Sequence, residues 1–223
     1  MATRETQSLI LDMALKLFNR HGSNTISTNR IAAECGISRG NLHYHFRTKS
    51  EIVQSIFQQI VRAMNDEWPA DHLEPTLEHM AEMYVRQSLL ILEFEFFYRE
   101  MPSLLRQDSL LRRRYREHRE RRLDAIERFF HALGDIGIMH FSDPSAIRSL
   151  VIATWIISDN WPNFVEFQGG NLDAEAICQG YDMILHVLGP HITVDLRAVT
   201  KTSHQTIHDM VANMPSQHVA SND

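Results

Sequence analysis

The amino-acid sequence predicts an all-α protein, with a module of short helices at its N-terminus and a larger helical body behind it. Three observations carry this. Apolar residues recur at the helical spacing of three and four along most of the chain. Capping and stop residues stand at the ends of those runs. No stretch alternates apolar with polar residues or carries an Asn-Gly hairpin signal. The composition agrees: 223 residues, 43% hydrophobic and 22% charged, with 9 Gly and 7 Pro, exclude collagen-like, low-complexity and largely disordered chains.

The first helix rests on Leu9, Ile10, Met13, Ala14, Leu17 and Phe18, which share one face, and Gly22 stands where a left-handed stop is wanted. Ser27 caps a short second helix that turns Ile31, Ala32 and Cys35 inward and ends at Gly36; Ser38 caps a third. Thr48 and Glu51 form a T-x-x-E capping box that opens a fourth helix. Its Ile52, Val53, Ile56, Phe57, Ile60, Val61 and Met64 make one apolar stripe, ended by Trp68 and Pro69. Within residues 73–100 the string LLILEFEFFY is apolar on nearly every side, so it reads as a helix buried among helices and broken at Met101 and Pro102. A long helix follows from about Leu110 to Leu133, stopped by Gly134 and Gly137. Pro144 opens an apolar helix around 145–161, another spans Leu172 to Leu188, and a weaker amphipathic segment covers Asp195 to Met214. A boundary near Glu67 divides residues 1–66 from 67–214, and 215–223 read as a disordered tail.

The formal net charge of −6 argues against nucleic acid only if it is evenly spread. Residues 1–50 hold seven Lys or Arg against three acids, a balance of +4, so the remainder carries −10. A basic module on an acidic body is expected where one end of a molecule meets a polyanion. No apolar run approaches the roughly 20 residues that span a bilayer, and the N-terminal stretch has acids and no small-residue cleavage site. The chain is therefore expected in the cytoplasm, without a membrane partner. Cys35 and Cys178 form no CxxC pair and are expected to be small hydrophobes rather than disulfide or zinc partners.

Residues 28–46, TNRIAAECGISRGNLHYHF, carry the functional signal: a short helix, a Gly-containing turn and a second short helix, the helix-turn-helix that lays its second helix in a DNA major groove. Gly36 suits the positive φ of the turn, Ile37 plugs the space between the helices, and Ser38 caps. Leu42 and Phe46, four apart, face inward. Arg39, Asn41, His43, Tyr44 and His45 are left outside, a hydrogen-bonding and stacking set in which Arg and Asn can read guanine and adenine edges bidentately.

At these residues the sequence resembles the TetR family of bacterial transcriptional regulators, from Ser27 through Ile31-Ala32, Gly36-Ile37-Ser38, Gly40, Leu42 and the aromatic cluster to Phe46, Lys49 and Ile52. The resemblance implies a three-helix DNA-binding domain joined by a fourth helix to a helical-bundle ligand-binding and dimerisation domain. By matched position, Arg39, Asn41 and Tyr44 would lie over base edges and Thr28, Asn29, His43, His45 and Lys49 on phosphates, with Gly40 in the same contact set. His43 departs from the tyrosine usual there, which puts a pH-dependent donor on the backbone. The implied partners are double-stranded operator DNA, a second copy of the chain and a largely apolar small-molecule effector whose binding releases a repressor. The competing reading is a DNA-binding regulator controlled by a protein partner or by no small molecule.

In the body, Met80, Met83, Phe94, Phe97, Tyr98, Trp155 and Trp161 offer apolar surface for a pocket or simply for the core. The stripe Leu111, Tyr115, His118, Arg122, Ile126, Phe129 puts two basic groups on an apolar face, so Arg122 must find a partner: Glu93 or Glu95, or the carboxylate of an acidic effector. The candidate effector set is thus Met83, Phe94, Phe97, His118, Arg122 and Trp155. The basic run Arg112 to Arg122 reads as a solvated helix face, partly neutralised by Arg116 with Glu120 and Glu117 with Arg121 at i,i+4. His204 and His208 have metal-ligand spacing beside Asp209 but read as chance. No cofactor is implied, and no catalytic fingerprint supports an enzyme.

Overall fold

The computed structural model describes residues 2–67 and 75–214. Met1, the expected helix stop at Trp68 and Pro69, and the tail at 215–223 lie outside them. The chain folds into α1 (Ala2–His21), α2 (Thr28–Glu34), α3 (Arg39–His45), α4 (Lys49–Glu67), α5 (Leu77–Glu93), α6 (Glu95–Gln107), α7 (Ser109–Asp135), α8 (Ile147–Phe167), α9 (Ala174–Leu188) and α10 (Arg197–Ala212). Among the described residues the only β pairing is an isolated antiparallel bridge between Met139 and Ile192, which ties the loop after α7 to the segment after α9.

Local chemistry sets the small helices. Ser27 accepts from the Arg30 amide at 3.2 Å and Ser38 from the Asn41 amide at 3.1 Å, each satisfying a donor the first helical turn leaves open. Gly36 takes φ +66 in the turn between them and Gly22 takes φ +77 at the end of α1, a region costly to any residue with a Cβ. At the start of α4, Thr48 Oγ1 accepts from the Glu51 amide, while the Glu51 carboxylate reaches the Arg47 amide, one residue before its expected target.

The single helix expected across 73–100 is two. Phe94 leaves the helical region at φ −106, ψ 34, closing α5 and opening α6, whereas Pro102 lies inside α6. A side chain from elsewhere makes the break tolerable: Asn19 of α1 donates to the Glu93 carbonyl at 2.8 Å and accepts from the Phe96 amide at 3.0 Å. Pro102 removes the amide that would have bonded to the Tyr98 carbonyl, and Asn163 Nδ2 donates to that carbonyl instead, at 3.3 Å. Helix α8 also continues past a proline, Pro162, and runs to Phe167 rather than stopping near 161.

Two apolar cores follow from this arrangement. The first joins α1–α4 to the end of α5, α6 and Leu111; in it Phe18 lies 5.1 Å from Phe96, and Phe57 stacks on Phe97 at 5.3 Å. The second gathers α5, α7, α8, α9 and α10 around Met80, Leu92, Phe130, Leu133, Tyr181 and Leu188. Cys178 is buried and Cys35 partly so.

Candidate nucleic-acid interface and buried cavity

Helix α3 presents one continuous polar face. Leu42 and Phe46 are buried against α1, α2 and α4, which turns Arg39, Gly40, Asn41, His43 and Tyr44 to solvent. Tyr44 is 78% exposed, an aromatic ring with no core to occupy. The partly buried His45 ring packs edge-on against Tyr44 at 5.2 Å, and its Nδ1 is buried without a hydrogen-bond partner. Thr28 and Asn29 open α2, Asn29 exposed and Thr28 partly so. Lys49 is engaged differently: its Nζ donates to the Ser23 carbonyl at 2.5 Å and the Ile26 carbonyl at 3.2 Å, so two of its three N–H groups close the loop between α1 and α2.

The module is clamped to the body through α6 and the start of α7. Glu100 accepts from the Ser23 amide at 2.7 Å and the Ser23 hydroxyl at 2.5 Å, and Arg99 donates to the Asn19 carbonyl at 2.9 Å. Asp108 caps α7 through the Leu110 and Leu111 amides and receives Ser50 and Gln54 of α4. Partial burial alone would push the Asp108 carboxyl up, but Gln54, Leu111, Ser50 and Leu110 together hold it below its ordinary value. His118 extends the contact, its Nε2 lying 3.1 Å from Met64 Sδ; burial first, then Arg122 and Arg121, push it down to about 4.

Behind this clamp α5, α7 and α8 form a small, partly open cavity of about 40 Å³, lined by Met83, Tyr84, Gln87, Arg122, Ile126, Phe130, Thr154, Trp155, Ser158 and Asp159. Of the expected set, Met83, Arg122 and Trp155 line it. Phe94 and Phe97 belong instead to the core that joins the two halves, and His118 lines a neighbouring groove with Asn65, Arg121 and Arg128 that shares Arg122 with the cavity. Glu95 pairs with Arg99 at 3.3 Å.

The residue sequence reasoning missed is Asp159. It is 4% exposed, accepts from Tyr115 OH at 2.6 Å, and burial pushes its carboxyl up to about 6 despite Tyr115, Trp155 and Arg119. The buried Trp155 N–H points into the same Tyr115–Asp159 cluster and tempers that shift. The signal was present: a carboxylate four residues after Trp155, one turn on along the same face of a helix whose run from Val151 to Ile157 is apolar except for Thr154. His204, considered for a metal, meets Asp182 at 2.8 Å. Among the described residues no helix is long and apolar enough to cross a membrane.

Known proteins match both halves. The family model described as "Bacterial regulatory proteins, tetR family" covers residues 10–56, and that described as "Bacterial transcriptional repressor" covers 56–199. The regulator AcrR of Shigella flexneri is 38% identical over 55 residues, 25% of this chain and 26% of that protein. An HTH-type transcriptional regulator of Staphylococcus aureus (strain USA300) is 41% identical over 56 residues, 25% of this chain and 30% of that protein. The match thus spans under a third of these relatives' length. A TetR-family transcriptional regulator from Marinobacter aquaeolei VT8 superposes over 91% of this chain and 98% of its own, with TM-score 0.79 and 33% identity. A regulator from Saccharomonospora viridis, solved in complex with choline, shares the fold over 82% of this chain and 96% of its own, with TM-score 0.66 at 18% identity.

Proposed function

The chain belongs to the TetR family of DNA-binding transcriptional regulators, and from that premise we propose that it is a homodimeric repressor released from its operator by a small molecule held in the cavity between α5, α7 and α8. The observation that carries this reading is the clamp: α7 lines the cavity with Arg122 and Ile126 and, at its other end, holds α4 through Asp108. An effector that prefers one position of α7 therefore biases the position of α3, which is the differential binding that coupling requires. Base reading is assigned to Arg39, Asn41 and Tyr44, with phosphate contacts from Thr28, Asn29, His43 and His45 and close backbone approach at Gly40. The effector is largely apolar, with polar groups met by Arg122 and Asp159.

Dimerisation is assigned to α8 and α9. Ile152, Ile156, Phe164 and Phe167 are exposed along one side of α8, Phe167 by 84%, and Met183 is exposed on α9. Such a stripe on one face marks an interaction surface. Two linked modules are also what two half-sites a helical turn or so apart demand.

The test uses the full chain. DNA fragments selected from a random pool should contain an inverted repeat, and Ile156→Asp should yield a monomer by sedimentation that binds this site far more weakly. A cavity-filling Ser158→Trp variant should bind the operator normally yet resist release by apolar compounds that dissociate the wild type. A wild-type monomer that binds tightly, or a Ser158→Trp variant released as readily as the wild type, overturns the corresponding half of the reading.

A further inference from the structure

The basic start of α7 has no part in the function proposed so far. Residues 109–116 read Ser-Leu-Leu-Arg-Arg-Arg-Tyr-Arg, with no acid before Glu117, and Arg106 lies in the last turn of α6. Arg106, Arg112, Arg113 and Arg116 are exposed. Among the described residues their one ion pair is Arg113 with Glu117 at 4.0 Å, both side chains more than 60% exposed, a contact of negligible worth. The neutralising pairs expected from spacing, Arg116 with Glu120 and Glu117 with Arg121, are replaced: Glu117 meets Arg113, while Glu120 meets Arg119 and Arg148. Asp124 and Glu127 also go to Arg148. Beyond the weak Arg113–Glu117 contact, the paired acids of α7 go to Arg119 and Arg148, and the charge of Arg106, Arg112 and Arg116 is left standing.

Position gives that charge a use. Helices α4 and α7 run side by side in the same direction: Asp108 meets Ser50 and Gln54, the Tyr115 ring lies 6.2 Å from Phe57, and His118 touches Met64. The N-terminus of α4 follows α3 directly, so the first turns of α7 stand at the α3 end of the molecule and its last turns at the opposite end. Arg112 lies only about 6 Å of helical rise past Asp108, and helical side chains lean back toward the N-terminus. Arg112 and Arg113 therefore lean toward the α3 end of the molecule, the end at which α6 finishes with Arg106 in its last turn.

We propose that Arg106, Arg112 and Arg113 form a second phosphate-binding patch, by which the body grips the sugar–phosphate backbone next to the site that α3 reads. The patch rests on α3 being the DNA-facing helix. Guanidinium groups suit phosphate oxygens, add affinity without sequence information, and release counterions when they bind. In a chain of net charge −6, they also offset the repulsion an acidic body exerts on DNA.

The experiment measures the affinity of the full chain for a random-sequence duplex across a salt series, since phosphate contacts act on any sequence. The triple variant Arg106→Gln, Arg112→Gln, Arg113→Gln should bind at least about tenfold more weakly at low salt, and the slope of log affinity against log salt should flatten by about 0.9 for each phosphate no longer neutralised. Arg112→Gln alone should give about a third of this and keeps the test open if the triple variant melts low. Arg121→Gln with Arg128→Gln, farther along the same helix from the α3 end, should leave the slope unchanged. An unaltered slope in the near-end variants, or equal flattening per charge in the farther pair, overturns the patch. Tyr44→Ala on selected operator separates the two readings: if it abolishes specific binding while the near-end variants do nothing, only the patch falls; if Tyr44→Ala also does nothing, the assignment of α3 falls.

Discussion

Replacing Asp159 by Asn should stabilise the protein, and should do so only above mildly acidic pH. In the folded chain burial lifts this carboxyl from 3.8 to about 6, so the ionised form is disfavoured there relative to the unfolded chain. The difference corresponds to about 3 kcal/mol at most, at 1.36 kcal/mol per pH unit. Below about pH 4 both states hold the proton and there is no penalty. Between about 4 and 6 the unfolded chain releases a proton that the folded chain keeps, so stability falls as pH rises; above 6 the penalty is complete. Asparagine fills the same space, can still accept from Tyr115 and carries no charge. For a chain of this size each kcal/mol moves the melting temperature by about 2–4 °C, so Asp159→Asn should melt up to about 6–12 °C higher at pH 8. The gap should close as pH is lowered from 6 to 4. Thermal melts at fixed protein concentration across this range test it, since in the proposed dimer melting depends on concentration. A variant no more stable at pH 8, or a gain independent of pH, would refute the reasoning by showing that packing rather than buried charge sets the cost.

Three other outcomes follow from the same structure. His118 has the opposite sign: its ring is held neutral down to about pH 4, so stability should be lost as pH falls from 6.5 to 4, and urea titrations of His118→Gln should show a shallower acid loss. An unchanged acid loss would mean that other groups cause it. Arg39→Ala should cost about 1–3 kcal/mol per half-site on the selected operator and almost nothing on scrambled DNA; equal weakening on both would make Arg39 a phosphate anchor. Lys49→Ala should lower stability by about 1.5–3 kcal/mol, because it removes a charged donor from the Ser23 and Ile26 carbonyls. Its salt slope should flatten by less than one per subunit; a full unit of flattening at unchanged melting temperature would show its chief role to be on phosphate.

What the sequence determined by itself is everything decided within a few residues. Ser27, Gly36 and Ser38 set the helix-turn-helix because a cap and a positive φ act on amides one to three positions away. Burial of Leu42 and Phe46, four apart, then fixes which side of α3 meets solvent, so its polar face is legible in the spacing of those two residues. Tertiary structure decided what depends on groups distant in the chain. The break between α5 and α6 falls at Phe94 because Asn19, 74 residues before Glu93, satisfies the backbone there, and Pro102 is tolerated because Asn163 supplies the missing donor. Lys49 turned inward because two carbonyls of a neighbouring loop converge on it. The cavity moved from Phe94 and Phe97 to Asp159 for the same reason. An apolar helix shows that it will be buried; whether its residues meet another core or an empty space depends on the packing of α5, α7 and α8, which no local pattern encodes.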